Sequence, residues 1–199
     1  ILQLIYVLDK LLWQHLKSKR KNQQNLYFGF SMVSMSMIFA GLSSGYIVAK
    51  SDNWLFYDIP IWFYISTVFI VVSSFTMNKA KGFIKNDLQL ESVKWIKLTL
   101  ALGVSFAISQ FLVWSSLIDQ EFYFTGPGFQ PSSGFLYVFT LLHLLHLVGG
   151  LIVLLVCWYK AVNLKYSNGN SLGFELACIF WHFLDILWVY LFLFLLLIR

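Results

Sequence analysis

Glu175, His182 and Asp185 lie in a run, Leu172–Ile198, that is otherwise almost all Leu, Phe, Trp, Ile and Val. Seven and three residues apart, they fall in one helical stripe about a quarter-turn wide, with Trp181 and Trp188 on another face. His182 and Asp185, at i and i+3, can touch, and a carboxylate that accepts from the ring N–H lowers the cost of burying both. A second polar and small stripe, Thr140, His143, His146 and Gly150, lies in the preceding apolar run. Three chemistries follow from these types and spacings. Two histidines one turn apart invite a metal, or a haem b held by one of them together with His182. Acids and imidazoles in series invite a proton path. The third possibility is structural, in which buried polar groups pair with one another and fix helices. Nothing near His143 and His146 supplies further metal ligands. The first three apolar runs contain no Asp, Glu or His to continue a proton path. The structural reading, with His182 paired to Asp185, is therefore the one adopted. Gln110, a lone amide in an apolar run, reads as an interhelical hydrogen-bond partner.

The elements that must position these residues are membrane helices. The chain is 59% hydrophobic and 12% charged, with mean hydropathy +0.73, against about 25% charged residues in a soluble domain. A helix needs about 20 apolar residues to cross the hydrocarbon. Five runs qualify, at roughly 27–48, 60–78, 96–118, 134–159 and 173–198. The expected architecture is all-α, an integral membrane bundle of five transmembrane helices, with a basic amphipathic segment 1–26 and a transmembrane domain 27–199. In 1–16, Leu4, Leu8, Leu11, Leu12 and Leu16 recur at helical spacing, which predicts an interfacial helix ended by the Lys17–Lys21 cluster. Charge follows this run rather than preceding it, so it does not read as a signal peptide.

Of the fourteen Lys and Arg, all but Lys50 and Arg199 lie in 1–26, 79–97 and 160–172. The loop 119–133 holds Asp119 and Glu121 and no base. This bias places the N-terminus inside and the C-terminus outside. It also makes anionic lipid a sufficient partner for the net charge of +5, with no need for nucleic acid. Trp54, Trp62, Trp95, Trp114 and Trp158 fall near run ends, where indoles favour the interface. Gly126-Pro127-Gly128 and Pro131 predict a turn-rich outer loop. Gly41 and Gly45 in the first run, and Gly149 and Gly150 in the fourth, predict close helix approach. Cys157 and Cys178, both inside apolar runs, read as small core hydrophobes rather than a disulfide.

Two motifs carry a family resemblance. Thr140-Leu-Leu-His143-Leu-Leu-His146-Leu-Val-Gly149-Gly150 resembles the Thr-Gly-x-His-x-x-His-Val signature of haem-copper oxidase subunit III. Glu175, followed by Trp181-His182-Phe183-Leu184-Asp185-Ile186-Leu187-Trp188, resembles the last-helix signature of that family. Leu55–Met77, with Pro60, Ser66-Thr67 and Ser73-Ser74, resembles its next upstream helix, and Gln110 matches a family glutamine. The resemblance covers about residues 27–198 and points to a short, five-span bacterial form lacking the first two helices of the long form. Where the family places a glutamate in the helix matching the first run, this chain has Ser34 and Met35. Leu141 and Leu142 replace the usual Gly-aromatic pair after the threonine.

The resemblance implies a non-catalytic subunit of a proton-pumping terminal oxidase in the bacterial inner membrane. The complex reduces oxygen to water with electrons from cytochrome c or quinol. This chain would carry no redox centre, with haem and copper in the partner subunit I. It would pack beside that subunit and others, bind phospholipid, and support proton uptake, with a respiratory supercomplex as a further setting. His143, His146, Glu175, His182, Asp185, Trp188 and Gln110 are then the expected structural, lipid or subunit-interface residues. On this reading, removing Asp185 alone leaves His182 unpaired, a worse outcome than replacing both. The alternatives are a haem b electron-transfer protein of five spans and a small proton-coupled transporter.

Overall fold

The computed structural model describes residues 2–50, 59–86, 88–122, 124, 131–164, 166 and 172–198. Five helices fill them: α1 (Leu2–Ala49), α2 (Ile61–Lys85), α3 (Gln89–Asp119), α4 (Pro131–Val162) and α5 (Leu172–Ile198). There is no strand among the described residues. Each helix contains a stretch long and apolar enough to cross a membrane, in α1 the part from Asn25 to Ala49. Even α2, at 25 residues, extends about 37 Å, more than the ~30 Å hydrocarbon core.

The chain divides into two units after Ile38. Residues 2–38 are helix throughout. The expected break at the Lys17–Lys21 cluster is absent, because nothing there stops a helix. No Gly or Pro precedes Gly29, and Lys, Arg and Gln are good helix formers. Trp54 and Gly126-Pro127-Gly128 lie outside the described residues.

From Phe39 onward the helices enclose one apolar core. Its largest fully buried side chains include Trp181, Trp188, Tyr46, Phe39, Phe63 and Phe106. The helices α2 and α3 form a hairpin across a short connection. There the Asn86 N–H donates to Gly82 O (3.2 Å) and the Leu88 N–H to Phe83 O (2.9 Å). Both helices extend about two turns past the expected ends at residues 78 and 96. Asn78, Lys79 and Lys81 end the apolar run but not the helix, since lysine stems run along apolar surface while the ammonium leaves it. Accordingly, Lys79 Nζ sits 4.6 Å above the Trp95 ring, and Phe83 stacks on the same indole with ring centroids 6.4 Å apart.

Helix ends use local devices. Pro60 precedes α2 with an extended backbone, and its carbonyl accepts the Phe63 N–H at 3.0 Å. Glu121 and Leu164 follow α3 and α4 with φ of 65° and 51°. This left-handed turn commonly closes a helix. At the first, the Phe122 N–H reaches back to Leu117 O at 3.0 Å.

Two glycines permit close approach. A Cβ on Gly103 of α3 would stand 2.7 Å from Trp181 and 2.9 Å from Leu151, and one on Gly150 would stand 2.9 Å from Leu184. Gly45 faces the Phe135 ring at an ordinary distance, whereas Gly41 and Gly149 face open space. The expected glycine pairs are thus split: one member of each meets a helix of this chain and the other faces outward. Cys157 and Cys178 are free and buried.

Candidate functional site

The last-helix motif is positioned by α2. At seven-residue spacing α2 presents Ser66 and Ser73 on one line, and Thr67 and Ser74 on the next. Hydroxyls inside a helix can bond their own backbone, and these do: Ser66 donates to Phe63 O at 2.9 Å, Thr67 to Phe63 O at 2.8 Å and Ser73 to Ile70 O at 2.7 Å. Their oxygens still have lone pairs to offer α5. Trp181 Nε1 donates to Ser73 Oγ at 3.0 Å, and Trp188 Nε1 to Thr67 Oγ1 at 3.1 Å. Trp188 also stacks on Phe63, with centroids 5.9 Å apart and planes 12° from parallel.

His182 completes this ladder. Its Nδ1 is 2.7 Å from Ser74 Oγ, and its Nε2 is 3.1 Å from Asn78 Oδ1. With the Asn78 carbonyl accepting, Nε2 carries the proton and Nδ1 accepts from the Ser74 hydroxyl. Four side chains of α2 therefore engage three of the α5 motif. On the opposite side of α2, the Thr76 and Thr99 hydroxyls meet at 2.8 Å and join it to α3.

Asp185 differs from the expected hydrogen-bonded partner. Its Oδ2 lies 3.7 Å from His182 Nδ1, an ion-pair distance but beyond a hydrogen bond. The hydrogen bonds of the His182 ring go to α2, so the ring does not depend on Asp185 to be satisfied. Asp185 is buried, and so are Trp181 and Trp188. At i, i+4 and i+7 these three share one inward face, and the indoles do not point away from it as the stripe argument predicts. His182 and Glu175 flank that face, half-buried. Glu175 is in the first turn of α5, where a carboxylate meets the positive end of the helix dipole.

The α4 motif divides in the same way. His143 is fully buried, its ring edge-on to Phe106 of α3 at 5.7 Å and tilted against Trp188 of α5 at 5.0 Å. Phe106 and Trp188 close this triangle at 4.7 Å. His146, one turn away, is half-buried. Its Nδ1 is 2.7 Å from Leu142 O, so that nitrogen donates to the carbonyl, and its ring meets Phe39 at 5.9 Å. Thr140 accepts the Trp114 N–H at 3.0 Å, tying α4 to the C-terminal part of α3. Gln110 is fully buried on α3, one turn from Phe106.

The expected residues thus form two neighbouring groups, one between α2 and α5 and one where α3, α4 and α5 meet, joined through Trp188. Sequence reasoning missed Thr67, Ser73, Ser74 and Asn78 as the partners, and Gly103 as the close approach to Trp181. The available signal was the seven-residue repeat of the Ser/Thr pairs.

Chemically, this arrangement is suited to holding helices together. Both nitrogens of His182 are engaged by α2, which leaves no lone pair for a second axial bond to haem iron. Among the described residues no group of three or more His, Cys, Asp or Glu is placed to hold a metal ion.

Comparison with known proteins agrees with this geometry. The family model for cytochrome c oxidase subunit III matches residues 54–198. Cytochrome c oxidase subunit 3 of Synechocystis sp. is 30% identical over 171 residues, covering 81% of this chain and 70% of that protein. The probable cytochrome c oxidase subunit 3 of Rickettsia prowazekii is 32% identical over 177 residues, covering 84% of this chain and 60% of that one. That of Rickettsia bellii is 31% identical over 182 residues, covering 85% and 62%. The chain spans between 60% and 70% of the length of these bacterial relatives. The match takes in both motif helices and the α2 ladder that serves them, and the chain belongs to the cytochrome c oxidase subunit III family.

Proposed function

We propose that this multi-pass membrane protein is the non-catalytic subunit III of a proton-pumping haem-copper terminal oxidase. In that complex, partner subunits carry the haem and copper and reduce oxygen to water. This chain stabilises the catalytic subunit I, offers lipid-facing helices to phospholipid and supports proton uptake. It lies in the bacterial inner membrane with the N-terminus inside and the C-terminus outside. The single observation that carries the reading is how the signature residues of α5 are used. Trp181, His182 and Trp188 spend their polar atoms on α2, which is the work of a scaffold. The lysines of the inner ends, such as Lys79 beside Trp95, fit the anionic inner leaflet. His143, His146, Glu175, Asp185 and Gln110 complete the polar framework.

Affinity purification of the tagged chain from mild detergent, followed by native mass spectrometry, tests this. The expected result is co-isolation with a large multi-histidine, haem-bearing subunit. Isolation of the chain alone, with ion uptake after reconstitution into liposomes, would favour the transporter instead.

A further inference from the structure

We propose that Gln110 and His143 together form a binding site for ordered water between α3 and α4, inside the membrane-spanning region. Both side chains are fully buried, and none of their four polar atoms has a hydrogen-bond partner among the described residues. Buried amides and imidazoles rarely stay unpaired, because each loses its hydration and gains nothing in return.

The register of the two helices puts these groups in one slot. On α3, Gln110 lies one turn from Phe106 and one turn from Trp114. Phe106 packs edge-on against His143 of α4, and Trp114 donates to Thr140 of α4. Gln110 is bracketed by these two contacts, so it faces α4 between Thr140 and His143. The other polar side chains at this level are already engaged. Thr140 Oγ1 accepts from Trp114 and donates to the backbone of its own helix, and Ser109 donates to Phe106 O at 2.6 Å. Among the described residues of α3 and α4 at this level, Gln110 and His143 are left with each other, or a bridging molecule, to bond.

Their chemistry matches water. The amide offers two N–H donors and a carbonyl acceptor, and a neutral imidazole offers one donor and one acceptor. A water molecule that accepts from one and donates to the other gains the two or more bonds that keep a buried water in place. A single histidine and an amide are a poor set for a metal ion. Asp185 lies instead beside His182, 3.7 Å from a ring whose hydrogen bonds go to α2.

Two measurements on the full chain, in native-lipid nanodiscs with whatever subunits co-purify, test the proposal. Water-edited solid-state NMR of 15N-histidine-labelled protein, with His143→Phe to assign the ring, should show rapid magnetisation transfer from water to the His143 nitrogens. A dry ring overturns the proposal. Cryo-electron microscopy at a resolution that shows waters should place density within hydrogen-bond reach of both side chains. A direct Gln110–His143 bond overturns it as well. Stability of variants separates a shared site from two independent groups. Gln110→Leu and His143→Phe should each lower the folded-to-unfolded ratio about tenfold, by orphaning the other side of the site. The double variant should lose much less than the product of the two. If the two losses simply multiply, the groups do not share a ligand.

Discussion

The bond between Trp181 and Ser73 allows a quantitative test of the α2–α5 lock. Trp181 is 1% exposed and Ser73 fully buried. Ser73 Oγ accepts the indole N–H at 3.0 Å while donating to Ile70 O at 2.7 Å. Ser73→Ala removes the acceptor and strands the N–H. Trp181→Phe removes the donor but leaves Ser73 bonded to Ile70. Two magnitudes compete. Orphaning a buried donor costs ~1–3 kcal/mol in water-soluble proteins. Interhelical hydrogen bonds in a bilayer average only ~0.6 kcal/mol and reach ~1.7, because a helix separated in lipid also finds partners. The second scale governs, since the reference state here is α5 in lipid. Full burial and good geometry put this bond above that average, so the coupling in a double-mutant cycle should be about 1 kcal/mol, or fivefold in the equilibrium constant. Steric trapping in lipid bicelles measures it across wild type, Ser73→Ala, Trp181→Phe and the double variant. Ser36→Ala is the control, because Ser36 is exposed and its hydroxyl donates to Met32 O of its own helix. A coupling below ~0.2 kcal/mol, or a Ser73→Ala variant as stable as the control, would refute the idea that hydroxyls of α2 hold α5.

Further outcomes follow from the same geometry. Gly103→Ala forces a Cβ to within 2.7 Å of Trp181 and should destabilise by about 1–2 kcal/mol, overpacking outweighing the better helix propensity. Gly149→Ala, facing open space, should instead gain about 0.5–1 kcal/mol in the same unfolding assay. His182→Ala should cost about 2 kcal/mol by removing the bonds to Ser74 and Asn78 and the polar neighbour of buried Asp185. Asp185→Asn should cost about 1 kcal/mol, because His182 keeps Ser74 and Asn78. Equal losses in thermal melts of the two variants would contradict that asymmetry. Past the end of α4, burial raises the Tyr166 hydroxyl above its ordinary value of 10.0, helped by the Cys157 thiol beside it. Below that value folded and unfolded chains both hold the proton. Above it the unfolded chain releases first, so this contribution to stability falls as pH rises past 10. Absorbance titration of phenolate should show one fewer tyrosine ionising in Tyr166→Phe only at the most alkaline end.

Run length and hydropathy made the five helices legible, because a bilayer fixes how much apolar sequence a span needs. The ends of α2 and α3 at their shared hairpin were not legible to within two turns. Lysines mark where hydrocarbon ends, and α2 and α3 continue as helix beyond it to Lys85 and from Gln89. That His182 lies near Asp185 followed from i, i+3 spacing. Where the ring bonds did not, because Ser74 and Asn78 are more than 100 residues away in sequence. Any serine in a helix can satisfy itself on its own backbone, so composition alone cannot tell Ser73, which also serves Trp181, from Ser36, which donates to its own helix. Glycine pairs misled for a related reason. A Gly-x-x-x-Gly spacing says that a close approach is possible, and only the packed helices show that Gly103 and Gly150, not Gly41 or Gly149, are the tight positions. Helical spacing alone separates Trp181 and Trp188 from the polar stripe. Their large rings in fact dominate the inward surface, and Asp185 is buried among them.

The claim beneath all of this is that imidazole and carboxyl groups within these helices hold protein to protein and not protein to iron or copper. Stripping this chain from the purified membrane complex and recording reduced-minus-oxidised visible spectra of both fractions tests it most directly. The prediction is that the whole haem signal stays with the remaining subunits and the separated chain shows no Soret band. A haem band that travels with this chain, and that is lost in His143→Phe or His182→Ala, would contradict it.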